Sequence, residues 1–300
     1  MIAWRCRSGT WASGHPYLQF GRGAEPLVVF PPLQGPFFGL TLSPGYFRYL
    51  FFAFGQRYTV YAIARKPMLS VGCSTRDMAH DYAAVIAREI GPAHVMGFSL
   101  GGMIGQYFAA DHPALVRKLV LVASADRMGE EGLAITRRWI PWAREKDMEA
   151  IVRTGMLASY RGSYRWFCPF FKLGMTGDFF RRMASPADFI IALQAAMLHN
   201  GKSILKEIQA PTLMVAGDRD TFFPSPCIRE TARGIPASQC VLIRGAGHGV
   251  FEEHPIRVTR EILAFLRTST VKKDPVLPRV PAFWTKLAPN FRSCISTKSN

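Results

Sequence analysis

The chain is 300 residues long and 49% hydrophobic, enough for one core of ordinary size and too apolar for a disordered chain. Only 19% of residues are charged, yet 37 basic against 21 acidic residues leave a net charge of +16 and a pI of about 10.0. A polyanion would need that excess clustered, and it is not: Val271 to Asn300 carries a net +5, and the rest is scattered in pairs such as Arg137-Arg138 and Arg181-Arg182. With no recurrent basic helix, no zinc spacing and no aromatic RNA-binding box, nucleic-acid binding is set aside as the main role.

In chain order, short apolar runs alternate with helical patterns, the signature of an α/β fold with a mostly parallel sheet and crossover helices. The predicted strands are Leu27–Phe30, Thr59–Ala64, His94–Phe98, Leu119–Ala123, Thr212–Ala216 and Gln239–Ile243, nearly continuous in apolar character and so expected to be buried on both faces. Between them, Asp77 to Ile90 has apolar residues at helical spacing and stops at Gly91-Pro92, while Leu100–Ala110 and Pro255–Leu266 also read as helices.

The alternation breaks over residues 126–200, where the composition turns helical, aromatic and basic (Trp139, Trp142, Tyr160, Trp166, Phe170, Phe179, Phe189). The expectation is an α/β core of residues 1–125 and 201–270, with residues 126–200 inserted as a helical cap or lid. Residues 271–300, with Pro275, Pro278, Pro281 and Pro289, read as a poorly ordered basic tail. The six cysteines, Cys6, Cys73, Cys168, Cys227, Cys240 and Cys294, form no Cys-x-x-Cys pair and fit a reducing cytoplasm. No signal peptide is evident, and the apolar stretches Leu27–Leu33 and Leu50–Phe54 fall far short of the roughly 18 to 20 residues that cross a bilayer.

Chemistry is carried first by Gly97-Phe98-Ser99-Leu100-Gly101, between a predicted strand and a predicted helix. A serine forced into so tight a turn needs small flanking residues, and the following helix aims its free N–H groups at whatever anion forms there. A hydroxyl needs a base, and Gly245-Ala246-Gly247-His248-Gly249 offers His248 in a flexible loop after the last strand. His15, His80, His94, His112, His199 and His254 are the competitors, of which His94, at the start of a strand, and His112 and His254, before prolines at helix boundaries, read as structural. A carboxylate must then hold the imidazole: Asp220, in Ala216-Gly217-Asp218-Arg219-Asp220 after the penultimate strand, is favoured over Asp218, which suits an ordinary turn role, and over Asp126.

Ser99, Asp220 and His248, in that chain order on alternating strands and helices, resemble the α/β-hydrolase family from about Trp11 to Arg267. The resemblance implies a cap inserted after the sixth strand and hydrolysis without a cofactor. Many members carry His-Gly after the third strand, where this chain reads Phe30-Pro31-Pro32-Leu33; aligned so, the oxyanion-hole donors would be the N–H groups of Leu33 and Leu100, since proline has none. A serine at position 99 argues against the branches that attack through aspartate. Three functions stay open: cleavage of a carboxylic ester or similar small acyl substrate, carbon–carbon hydrolysis by the same triad, and a silent small-molecule receptor. The insertion's aromatic and methionine residues favour a substrate with an apolar group.

Overall fold

The computed structural model of the chain describes residues 6–33, 48–162 and 185–268. Among them eight strands form one sheet: β1 (Arg7–Thr10), β2 (Pro16–Gly21), β3 (Glu25–Phe30), β4 (Tyr58–Ile63), β5 (Ala93–Phe98), β6 (Val116–Val122), β7 (Thr212–Gly217) and β8 (Ser238–Ile243). Their order is β1-β2-β4-β3-β5-β6-β7-β8. Strand β2 pairs antiparallel with β1 and β4, and every pairing from β4 through β3 to β8 is parallel.

The α-helices with described bounds are α1 (Phe52–Gly55), α2 (Thr75–Glu89), α3 (Leu100–Asp111), α4 (Glu130–Arg144), α5 (Met148–Ser159), α6 (Pro186–Leu198), α7 (Ser225–Gly234), α8 (Val250–Glu253) and α9 (Pro255–Arg267). Helix α2 begins two residues before its expected start because Ser74 and Asp77 form a capping box: Asp77 N–H donates to Ser74 Oγ at 3.1 Å and Ser74 N–H to the Asp77 carboxylate at 2.9 Å. It ends as expected, with Gly91 at φ +81° closing the last turn on Ile86 O.

The sheet is covered on both faces, which is why its central strands read as continuous apolar runs. Val28, Phe30, Val95, Leu119, Leu121 and Met214 cluster with Met78 and Tyr82 of α2, Met103 and Phe108 of α3 and Ile228 of α7. The alternate residues, Leu27, Val29, Met96, Phe98, Val120, Val122 and Val215, cluster with Phe51, Phe54 and with Val258 and Ile262 of α9. Burial at both faces, at about 25 cal/mol per Å² of apolar surface, is what fixes the sheet.

Two expectations need correcting. Strand β8 is not buried on both faces: Gln239 and Cys240 are exposed because β8 is the edge strand, paired only with β7. Strands β1 and β2 went unread, since β1 is exposed throughout and β2 alternates, so neither makes an apolar run. The segment between β6 and β7 is helical as expected, carrying α4, α5 and α6. Residues 163–184 of it, including Trp166, Phe170 and Phe179, and the tail expected over residues 271–300, lie outside the described residues. Among the described residues no helix is long and apolar enough to cross a membrane.

Candidate active site

Strand β5 and helix α3 meet at Ser99, whose backbone stands at φ +50°, ψ −117°. A non-glycine residue held there stores roughly 1 to 3 kcal/mol of strain, so the surroundings must over-determine it. They do so through glycines. A Cβ on Gly97 would lie 2.4 Å from Gly101 O, and one on Gly101 would lie 2.2 Å from Phe30 O and 2.6 Å from Pro31 O, all backbone atoms that cannot yield. Although Ser99 occupies the N-cap of α3, its hydroxyl makes no capping hydrogen bond. It lies 3.1 Å from His248 Nε2.

His248 sits in the loop between β8 and α8, where Gly245 takes φ +78°. Its Nδ1 is 2.9 Å from Asp220 Oδ2, and the side chain of Asp220 is wholly buried. The other carboxylate oxygen, Oδ1, accepts from the N–H groups of Phe222 at 2.8 Å and Phe223 at 3.0 Å. A carboxylate oxygen can only accept, so Nδ1 carries the proton and Nε2 is left to accept from the Ser99 hydroxyl. The rings of Phe222 and Phe223 flank the imidazole at 4.8 and 5.6 Å. Asp218 does what a turn residue does: its carboxylate accepts from Gly245 N–H at 2.6 Å and so fixes the loop that carries His248. Asp126 is buried elsewhere, bonded to Thr231 and Arg127.

The remaining described histidines are engaged away from this point. His15 meets Ser13, His80 meets His112, His94 is 3.9 Å from Glu25, and His254 caps the short helix α8. His199 is buried against Thr75, and desolvation pushes its pKa down to about 3.

Ser99 and His248 open into a cavity of about 190 Å³. Leu33 and Leu100 line it too, beside Phe98, Phe222 and Phe223 from the core, while Met128, Trp139, Ile151, Met156, Phe189 and Leu193 close it from the insertion. The lining is strongly apolar, and among the described residues its only side chains able to carry full charge are His248 and Glu252. Glu252 was missed by the sequence reading. It sits on α8, one turn beyond His248, and burial raises its carboxyl to about 7 against an ordinary 4.5. Its neighbour Glu253 holds the loop and the insertion together, accepting from Gly247 N–H at 2.6 Å and from the backbone N–H of Arg161. Ser159 O accepts from Gly249 N–H at 3.0 Å, and Tyr160 packs on Gly249 where any Cβ would collide with its ring. The tandem acids after His248 were a visible signal; the docking of Ser159–Arg161 had none.

Comparison with known proteins then decides the family, because the family model described as "Alpha/beta hydrolase family" matches residues 28–262. The chain belongs to the α/β-hydrolase family. This α/β-hydrolase is 29% identical over 196 residues to a pimeloyl-[acyl-carrier protein] methyl ester esterase of Neisseria meningitidis serogroup B, covering 59% of this chain and 70% of the other. Among solved structures it is similar to MGS-M2, an α/β-hydrolase enzyme from a deep-sea metagenome library, with a TM-score of 0.75 at 15% identity, over 90% of this chain and 100% of the other. It is also similar to the enol-lactonase of Burkholderia xenovorans LB400, with a TM-score of 0.72 at 19% identity, over 85% of this chain and 96% of the other. These two likenesses speak for the fold.

Proposed function

We propose that this α/β-hydrolase is a serine hydrolase that cleaves a carboxylic ester bearing an apolar acyl or alcohol group. The observation that carries the reading is the line Ser99 Oγ to His248 Nε2 at 3.1 Å and His248 Nδ1 to Asp220 Oδ2 at 2.9 Å, at the floor of an apolar cavity. Ser99 attacks the ester carbonyl while His248 takes its proton, and Asp220 stabilises the imidazolium that results. The carbonyl oxygen, now an oxyanion, is received by the N–H groups of Leu33 and Leu100. His248 returns its proton to the leaving alcohol, and water activated by the same imidazole releases the acid from the acyl-enzyme. The helices between β6 and β7 act as the cap, and their apolar side chains receive the substrate's hydrocarbon part.

The similar protein of Neisseria meningitidis is named for cleaving a methyl ester, which supports this class of reaction. The lining supports an uncharged substrate as well: it offers Glu252 and, among its described residues, no lysine or arginine to pair with an acid. The insertion's Arg137-Arg138 pair is exposed to solvent rather than turned into the cavity. The test is hydrolysis of p-nitrophenyl esters of increasing acyl length by the wild type and by Ser99→Ala. Turnover abolished in the variant, with a wild-type optimum at one acyl length set by the cavity, is expected. Equal turnover by the two proteins would refute the reading.

A further inference from the structure

The cavity does not account for Arg65. This guanidinium follows β4, is only 7% exposed, and among the described residues has no carboxylate within ion-pair distance. Taking a cation out of water is costly unless its donors are well used. Arg65 spends them on the backbone: Nη1 is 3.1 Å from Pro32 O and 3.4 Å from Pro31 O. Tyr82 and Asp188 are the charged or ionisable groups that favour its cationic form, against a burial that disfavours it. Asp188, on α6, is itself occupied by the N–H groups of Met68 and Leu69.

The position of the two carbonyls gives this charge a use. Pro32 C=O and Leu33 N–H belong to one peptide, and among the described residues no peptide bond is cis, so the two groups point in opposite directions. A guanidinium gripping the oxygen on one side therefore fixes the N–H on the other. Leu33 lines the cavity together with Ser99 and Leu100. The same loop also touches the first turn of α3, since a Cβ on Gly101 would lie 2.6 Å from Pro31 O.

We propose that Arg65 is a positioning residue for the oxyanion pocket: it clamps the Pro31 and Pro32 carbonyls from behind so that Leu33 N–H is presented toward the carbonyl oxygen of the ester that Ser99 attacks. The inference rests on the serine-hydrolase reading above and deepens it. The diproline explains why a clamp is needed and why it works. Neither proline can donate a hydrogen bond to hold the loop, so the carbonyls are the handles available on those two residues, and the ring-fixed φ angles leave one peptide plane for the clamp to set. The buried cation also polarises the Pro32–Leu33 peptide, making its N–H a stronger donor, and it favours the negative charge that appears on the substrate oxygen only in the transition state.

The test compares wild type, Arg65→Lys and Arg65→Ala, each first checked for a cooperative melting transition. On a p-nitrophenyl ester, Arg65→Ala should lower kcat about 10- to 100-fold with KM nearly unchanged, less than the roughly 100- to 1000-fold that follows loss of an oxyanion donor outright. A trifluoromethyl ketone, which adds Ser99 Oγ and forms an oxyanion, should bind more weakly by the same factor, while the matching secondary alcohol, which only fills the cavity, should bind as before. Arg65→Lys, a point charge that reaches one carbonyl, should fall between. Should the alanine variant not fold, the lysine variant carries the same comparison. Folded variants whose kcat is unchanged, or whose ketone and alcohol affinities fall together, overturn the proposal. A wild type that neither hydrolyses esters nor binds the ketone overturns the serine-hydrolase reading itself, a result distinct from normal wild-type chemistry with indifferent Arg65 variants.

Discussion

The two walls of the cavity are built by different physics. The floor, at the ends of β5 and β7 and in the loop after β8, is fixed by backbone against backbone: a Cβ on Gly97, Gly101 or Gly217 would come within 2.4 Å of a carbonyl oxygen. The roof, contributed by α4, α5 and α6, is held by side chains, with Trp139 ringed by apolar neighbours and bonded through Nε1 to Thr154 Oγ1 at 2.9 Å. Main-chain contacts this close admit one arrangement, which suits groups that must meet at hydrogen-bond distance. Side-chain packing tolerates exchange of similar volumes, which suits a surface that only has to match a substrate's shape. In the function proposed above, the floor carries the chemistry and the roof the choice of substrate.

The largest effects should come from breaking the floor. Gly101→Ala drives a methyl into Phe30 O and Pro31 O, and is expected to cost about 3 kcal/mol or more of stability, seen as a lower urea midpoint, or to prevent folding. Asp220→Asn leaves the fold in place but loses the acceptor that selects the Nδ1–H tautomer, and should lower kcat about 10⁴-fold. Asp218→Asn separates the two carboxylates: the amide oxygen still accepts from Gly245 N–H, so kcat should fall by less than about tenfold. Equal losses in the two asparagine variants would break the distinction between them.

A change in the roof should instead alter preference. Trp139→Leu enlarges the cavity and is expected to move the optimum of an ester series toward longer acyl chains, each accommodated methylene being worth about 10- to 200-fold in kcat/KM. An unchanged optimum with a uniformly lower rate would place Trp139 with the floor. The smallest effect concerns Glu252. Its folded pKa of about 7 lies above the ordinary 4.5, so between those values the folded protein holds a proton that the unfolded chain releases, and stability falls as pH rises through that window. Glu252→Gln should remove this loss, giving a melting temperature that gains on the wild type from about pH 5 to pH 8. A constant difference across that range would contradict the raised pKa.

The same contrast explains what could be read from sequence. Ser99, Asp220 and His248 stood out because close backbone approach demands glycines, and glycines around a serine or histidine are visible in a one-dimensional string. Strands β3 to β7 were legible because burial on both faces leaves uninterrupted apolar runs, while β8 misled because its edge position shows only in the pairing order. Arg65 gave no sign: nothing in Ala64-Arg65-Lys66 distinguishes a buried guanidinium from an exposed one, and its partners are carbonyls, which every residue has. Glu252 and Glu253 look interchangeable in sequence, yet one lines the cavity and the other ties Gly247 to Arg161, a division made by helical geometry.

The central claim is that Ser99 is an activated nucleophile. Its most direct test is the intact mass of the protein after exposure to a fluorophosphonate, with the modified peptide sequenced. A single adduct on Ser99, absent in Ser99→Ala and slowed by orders of magnitude in His248→Ala, is the predicted result. A folded wild type that stays unmodified, or that carries its adduct on another residue, would contradict it.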